Sequence, residues 1–268
     1  MKKNDKRPIG VFDSGVGGLT VARSIVKHLP NEDVVYFGDT ARVPYGNKSK
    51  ATIIRFSLEI LRFLKGHDVK MVVVACNTAS SFSLPAIKKA CSVPVTGVIG
   101  PGVREAVGLT RSGRIGVIGT TSTIQSCSYG RELARHGAKY RLFAQGCPLF
   151  VPLVENGFID DPITYEIAGR YLKDMRAVGI DTLILGCTHY PLLKGVISDV
   201  IGHYVNLVDS SFAVAREVKG LLDKHGLGAG KRQRRGKIKC FVSDDTAGFR
   251  RLAGVMLGSS IHVRKAAI

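Results

Sequence analysis

The feature that most constrains this chain is an alternation along most of its length, in which short apolar, β-rich segments are separated by longer stretches of helical spacing. The short segments are residues 9–12, 34–37, 69–75, 93–96, 115–118, 140–144, 182–185, 205–208 and 238–242. Between them, apolar residues such as Ile54, Leu58 and Leu61 recur four and three apart, as one face of a helix requires. Such alternation predicts parallel sheets covered by helices, an α/β fold. Strands this short and apolar fit sheets buried on both faces. Side chains that bind or react then collect at the carboxyl ends of the strands, where loops open into a crevice. The loops after Phe12, Phe37, Ala75, Ile118 and Leu185 therefore hold the candidates.

The two halves also echo each other. Ile9-Gly10-Val11 recurs as Ile115-Gly116-Val117, 106 positions later. Val74-Ala75-Cys76-Asn77-Thr78 is echoed by Leu185-Gly186-Cys187-Thr188, with the cysteines 111 positions apart. Two matches at nearly one offset predict two pseudo-symmetric lobes, each a mostly parallel sheet flanked by helices. Residues 1–98 plus 210–268 are assigned to the first lobe and 99–209 to the second. Lobes that face each other would put the strand-end cysteines on opposite walls of one cleft.

Bulk properties narrow the partners. No apolar run approaches the length that spans a bilayer, and the short apolar stretch after the charged start is no secretory signal. A cytoplasmic protein without a membrane partner is expected. The six cysteines, at 76, 91, 127, 147, 187 and 240, contain no CxxC pair, which predicts free thiols. No metal site is expected either, because no second clustered histidine completes a ligand set. The net charge of +18 suits steering of an anionic substrate, attraction of nucleic acid, or solubility alone. Its densest cluster is Lys231, Arg232, Arg234, Arg235, Lys237 and Lys239. Aromatic residues that would stack on bases are missing there, so the stretch reads as a solvated loop and a nucleic-acid partner is disfavoured.

The first candidate loop is Asp13-Ser14-Gly15-Val16-Gly17-Gly18-Leu19. Its glycines permit positive φ and close backbone approach. A helix starting near Leu19 would offer free N–H groups to an anion such as a carboxylate. The spacing is neither GxGxxG nor a phosphate loop, and a plain tight turn is the alternative. The second loop, from Gly38 to Gly46, is rich in donors and stiffened by Pro44, which suits recognition. A surface Asp39–Arg42 pair is its plainer reading.

The third and fourth loops are Cys76-Asn77-Thr78-Ala79-Ser80 and Cys187-Thr188-His189-Tyr190-Pro191. Each cysteine stands at a strand end where a helix is expected to start, so backbone N–H groups would favour its thiolate. The neighbouring Asn and Thr side chains can hold a carboxylate, and His189 can exchange protons. A packing cysteine or a Cys–His nucleophile would account for one loop at a time. Twin loops fit a reaction with two equivalent faces. Glu155 follows the apolar residues 150–154, which would raise its pKa and make it a proton donor. A place on a helix surface is the alternative.

These segments, with residues 36–46, 115–120 and 147–155, resemble the motifs of the glutamate racemase family, and the resemblance extends from Ile9 to about Leu257. The basic stretch 231–239 has no counterpart in those motifs. The resemblance implies a cofactor-independent isomerase with two α/β lobes around a closed cleft, supplying D-glutamate for peptidoglycan and hence for cell-wall biogenesis and cell shape. It implies Cys76 and Cys187 as the acid–base pair, with Asp13 and His189 assisting and Glu155 a further acid. It makes Asp13, Ser14, Tyr45, Gly46, Asn77, Thr78, Thr120, Thr188 and His189 ligands of glutamate. Oligomeric state stays open, a homodimer being one option. An aspartate racemase of the same type is the nearest rival, although such enzymes tend to carry Glu where His189 stands. A basic nucleic-acid clamp and a thiol redox enzyme are rivals from other classes.

Overall fold

The structure is a computed structural model that describes residues 4–231, 233–244, 247–258 and 261–268. The chain divides into two compact units, Met1–Val98 with Ser211–Ile268, and Ile99–Ser210. The first unit opens with β1 (Ile9–Asp13), α1 (Leu19–His28), β2 (Val34–Gly38), α2 (Lys50–Gly66), β3 (Met71–Val74), α3 (Asn77–Ala90) and β4 (Val95–Gly97). The second runs through α4 (Ile99–Leu109), β5 (Arg114–Gly119), α5 (Thr121–Gln125), α6 (Ser128–Ala134) and β6 (Arg141–Gly146). It continues with α7 (Phe150–Glu155), α8 (Pro162–Ala177), β7 (Thr182–Gly186), α9 (Lys194–Ile201) and β8 (Asn206–Val208). After α10 (Ser210–His225) the chain adds β9 (Ile238–Val242), α11 (Ala247–Leu257) and β10 (Val263–Lys265) to the first unit.

The first sheet has the order β10-β9-β2-β1-β3-β4 and the second β6-β5-β7-β8. Every strand pair in both is parallel. The order β2-β1-β3-β4 within the first sheet is thus repeated by β6-β5-β7-β8. The internal echo falls on this repeat, because its first match joins β1 to β5 and its second joins the end of β3 to the end of β7. The α/β class expected from the alternation is the class observed. Strands β1 and β7 are buried at every position, which is why they are apolar between their ends, with a polar residue only at Asp13, the last of β1, and Thr182, the first of β7.

Differences from expectation have local causes. The segment read as 69–75 narrows to Met71–Val74, and Val69 instead packs against the backbone of Gly10. Pro94 precedes β4 and offers only its carbonyl, which accepts from Val72 N–H at 3.0 Å. In α2 the buried face is Ile53, Phe56, Ser57, Ile60, Leu61 and Leu64. Leu61 lies on it as expected, whereas Ile54 and Leu58 stand half-buried at its margin. Among the described residues no helix is long and apolar enough to cross a membrane.

Candidate active site

In the first unit the candidates stand at the carboxyl ends of adjacent strands. Asp13 ends β1, Asp39 follows β2, and Cys76 lies two residues beyond β3. Asp13 is fully buried, and its Oδ2 accepts from Gly15 N–H at 3.1 Å. Of the two properties glycine permits here, Gly15, Gly17 and Gly18 do not use positive φ. What glycine supplies at position 18 is the missing Cβ, which would lie 2.6 Å from Asp13 Cβ and 3.0 Å from Ala75 Cβ. The turn also uses amides expected to be open to an anion, since Leu19 and Thr20 N–H donate to the carbonyls of Val16 and Gly17.

Cys76 is the N-cap of α3. Its Sγ accepts from Ala79 N–H at 3.4 Å and lies 3.6 Å from Ser14 Oγ, to which it donates. A sulfur in the capping position faces the positive end of the helix dipole, so negative charge on it is favoured. Asn77 and Thr78 form the first turn of α3 and are both buried. The helix runs on through Pro85 to Ala90.

The loop after β2 is built around Asp39, which is buried rather than part of a surface pair. Its carboxylate accepts from Arg42 Nε at 2.7 and 3.0 Å, from Ser243 Oγ at 2.9 Å, and from the Tyr45 hydroxyl. Arg42 in turn reaches Glu59, with its guanidinium 3.9 Å above the Phe56 ring. Tyr45 lies in a short 3₁₀ turn with Gly46 and Asn47. Burial, and then the Asp39 carboxylate, push its phenol far above the usual range, so the hydroxyl stays neutral as a donor to Asp39. The sequence alone points to Asp39, Arg42 and Tyr45 but to neither Glu59 nor Ser243. Ser243 follows β9, whose end lies on the same edge of the sheet, so the strand-end rule applied there would have found it.

In the second unit Cys187 directly follows β7. No α-helix begins there, contrary to expectation. The Cys187 carbonyl accepts from Tyr190 N–H at 3.1 Å, and a 3₁₀ turn, Tyr190–Leu193 with Pro191 in its first positions, precedes α9. A side chain takes the place of the helix end. His189 Nδ1 lies 3.9 Å from Cys187 Sγ, and His189 Nε2 lies 3.3 Å from Oε1 of Glu155, the last residue of α7. His189 is buried and Glu155 half-exposed, so the structure adds Glu155, which the sequence offered separately, to the Cys187–His189 pair of one loop. Thr188 is buried beside Cys187. Thr120 follows β5 and caps α5, accepting from Thr123 N–H at 3.4 Å.

Cys147 occupies the strand end after β6 and is a useful contrast. Burial, with a further contribution from nearby Cys187, pushes its thiol well above the ordinary range, so it stays protonated. None of the six cysteines is in a disulfide. Among the described residues no group of three or more His, Cys, Asp or Glu is placed to hold a metal ion.

Residues 9–218 match the Asp/Glu/hydantoin racemase family, and the chain belongs to that family of isomerases. The glutamate racemase of Geobacter metallireducens is 51% identical over 255 residues, which cover 95% of this chain and 94% of that protein. The crystal structure of a glutamate racemase isoform from Bacillus anthracis matches with a TM-score of 0.94 at 39% identity, over 98% of both chains. That of the Francisella tularensis glutamate racemase in complex with D-glutamate matches with a TM-score of 0.91 at 35% identity, again over 98% of both.

Proposed function

We propose that this chain interconverts L- and D-glutamate without a cofactor, with Cys76 and Cys187 as the acid–base pair at the α-carbon. The observation that carries the reading is their equivalence: each follows the third strand of one repeated four-strand order. Racemisation removes the Cα proton from one face and delivers another to the opposite face, so it requires a base and an acid of similar strength on either side. A thiol, with an ordinary pKa near 8.5, serves in both forms near neutral pH. Cys76 has the cap of α3 and Ser14 beside it, and Cys187 has His189 backed by Glu155. In this reading Asp13 and His189 assist the thiols.

The developing charge at Cα and the substrate carboxylates need fixed donors in a dry site. Ser14, Asn77, Thr78, Thr120 and Thr188 are assigned that role, and the turn of Tyr45 and Gly46 the distal carboxylate. Since the Tyr45 hydroxyl already donates to Asp39, its part is to hold that turn in place. A cytoplasmic supply of D-glutamate for peptidoglycan, and with it cell-wall biogenesis and cell shape, is the cellular role that follows. The test is to incubate purified, chelator-treated protein with L-glutamate and follow its circular dichroism. Decay to zero ellipticity from either enantiomer supports the reading, and a static signal overturns it.

A further inference from the structure

The first unit has a second concave site, at the opposite end of its strands from Asp13, Asp39 and Cys76. A cavity of about 890 Å³ opens between α1, the segment leading into β9, and the end of α11. Its size lies within the range of small-molecule sites. Arg23, Lys27, Arg235 and Lys237 line it together with the aliphatic side chains of Ile238, Leu257 and Ile261, and among the described residues no carboxylate does.

The basic stretch in its wall is a solvated loop, as composition suggests, with Lys231, Arg234, Arg235, Lys237 and Lys239 exposed, but its backbone is anchored; Arg232 lies outside the described residues. Arg234 holds Asp33 through two bonds of 2.9 and 2.8 Å. Gly236 N–H donates to the Pro30 carbonyl at 2.7 Å, and Lys237 N–H to Asp33 Oδ1 at 3.0 Å. A Cβ on Gly236 would lie 1.8 Å from the Glu32 carbonyl oxygen, so the backbone is pressed against its neighbour where only glycine fits. On the facing helix, Arg23 is steadied by a 2.9 Å bond from Nη1 to the Met256 carbonyl.

Arg235 and Lys237 therefore project from fixed backbone. Among the described residues no carboxylate pairs with Arg23, Lys27, Arg235 or Lys237, whereas Arg234 is spent on Asp33. Four cations around one concavity repel each other until an anion enters, and low-dielectric walls focus their field on that space. Guanidinium groups match phosphate oxygens, and the aliphatic wall suits an apolar body carrying the charge. No Phe, Tyr or Trp lines the cavity to stack against the successive bases of a nucleic-acid strand.

We propose that this cavity binds a small phosphate-bearing anion with an apolar body, of nucleotide size, at a site separate from the strand-end thiols. The test is calorimetric titration of the full-length protein at near-physiological salt with ADP, inorganic pyrophosphate and adenosine. ADP is expected to bind most tightly, pyrophosphate about tenfold more weakly, and adenosine not measurably. The R235Q/K237Q variant should weaken ADP binding at least about tenfold, and K27Q, on a different element, about threefold. The K88Q/K89Q variant removes the same charge from the exposed end of α3 and should change ADP binding less than about twofold. Absence of ADP binding, or equal losses in R235Q/K237Q and K88Q/K89Q, would overturn the proposal. So would a short DNA duplex that binds more tightly than ADP and loses affinity in R235Q/K237Q, which would assign the face to nucleic acid.

Discussion

Replacing Gly18 with alanine should slow turnover about 10²-fold while costing the fold only about 1–3 kcal/mol of its stability. The added Cβ would stand 2.6 Å from Asp13 Cβ and 3.0 Å from Ala75 Cβ. Ordinary carbon contacts begin near 3.5 Å, so the closer pair must open by about 0.9 Å. Asp13 and Ala75 are both fully buried, and Ala75 immediately precedes Cys76, so the shift is passed to both candidate groups. Gly18 has φ −64°, so alanine adds no backbone strain there. Overpacking of this kind costs about 1–3 kcal/mol. A displacement near 1 Å of a group acting on substrate costs on the order of 10²-fold in rate. Initial rates from both enantiomers and urea unfolding would separate the two effects. Gly66→Ala is the control, since an added Cβ there meets nothing within 4 Å. It should keep kcat within about twofold, because it adds no contact in a core. A Gly18→Ala enzyme with kcat within about threefold of the parent would refute the claim that Asp13 and Cys76 must be held this tightly.

Three further outcomes are expected. On alkylation with iodoacetamide at pH 8, exposed Cys127 should be modified early and Cys147 last, because burial keeps the Cys147 thiol protonated; mass spectrometry showing early labelling of Cys147 would contradict that. Burial alone would raise the Asp181 pKa, but hydrogen bonds from Thr110, Ser112 and Arg111 outweigh it and hold the carboxyl below its ordinary value. Its contribution to stability is then complete above the unfolded pKa near 3.9 and is lost as pH falls below that. The Tm difference between the parent and Asp181→Asn should accordingly shrink between pH 6 and pH 3, and a constant difference would count against it. Glutamate should be preferred over aspartate by at least about 10²-fold in kcat/KM, since one methylene less leaves the donors around the Tyr45 turn unpaired; equal efficiencies would mean the pocket is misassigned.

What the sequence made legible follows from how local each signal is. Strands such as β1, β2 and β7 stood out because they are buried on both faces and carry no alternating polar residue between their ends. β10 did not, being three residues long with two exposed basic side chains, identifiable only by its pairing with β9. The end of β3 and the start of α3 could be placed around Cys76, but the same reasoning misplaced a helix at Cys187. The similar loop there turns through His189 and Pro191 instead. The Asp39 hub was half legible, because Arg42 and Tyr45 lie within six positions of it while Ser243 is 204 away. The basic stretch was half legible for the same reason, since it is the exposed loop its composition indicates. Its charges are visible in composition, but its anchors at Pro30, Glu32 and Asp33 arrive only with the fold.

The central claim, that two thiols exchange the α-proton on opposite faces, is tested most directly by running the reaction in D₂O and sampling early product by mass spectrometry. From either enantiomer the first product should carry deuterium at Cα while remaining substrate carries almost none, because one sulfur removes the proton and the other delivers one from solvent. Cys76→Ser and Cys187→Ser should each lower racemisation by about 10²–10⁴-fold, the range that acid–base groups contribute. Early product that retains the substrate's own proton, or substantial racemisation by either serine variant, would contradict the account.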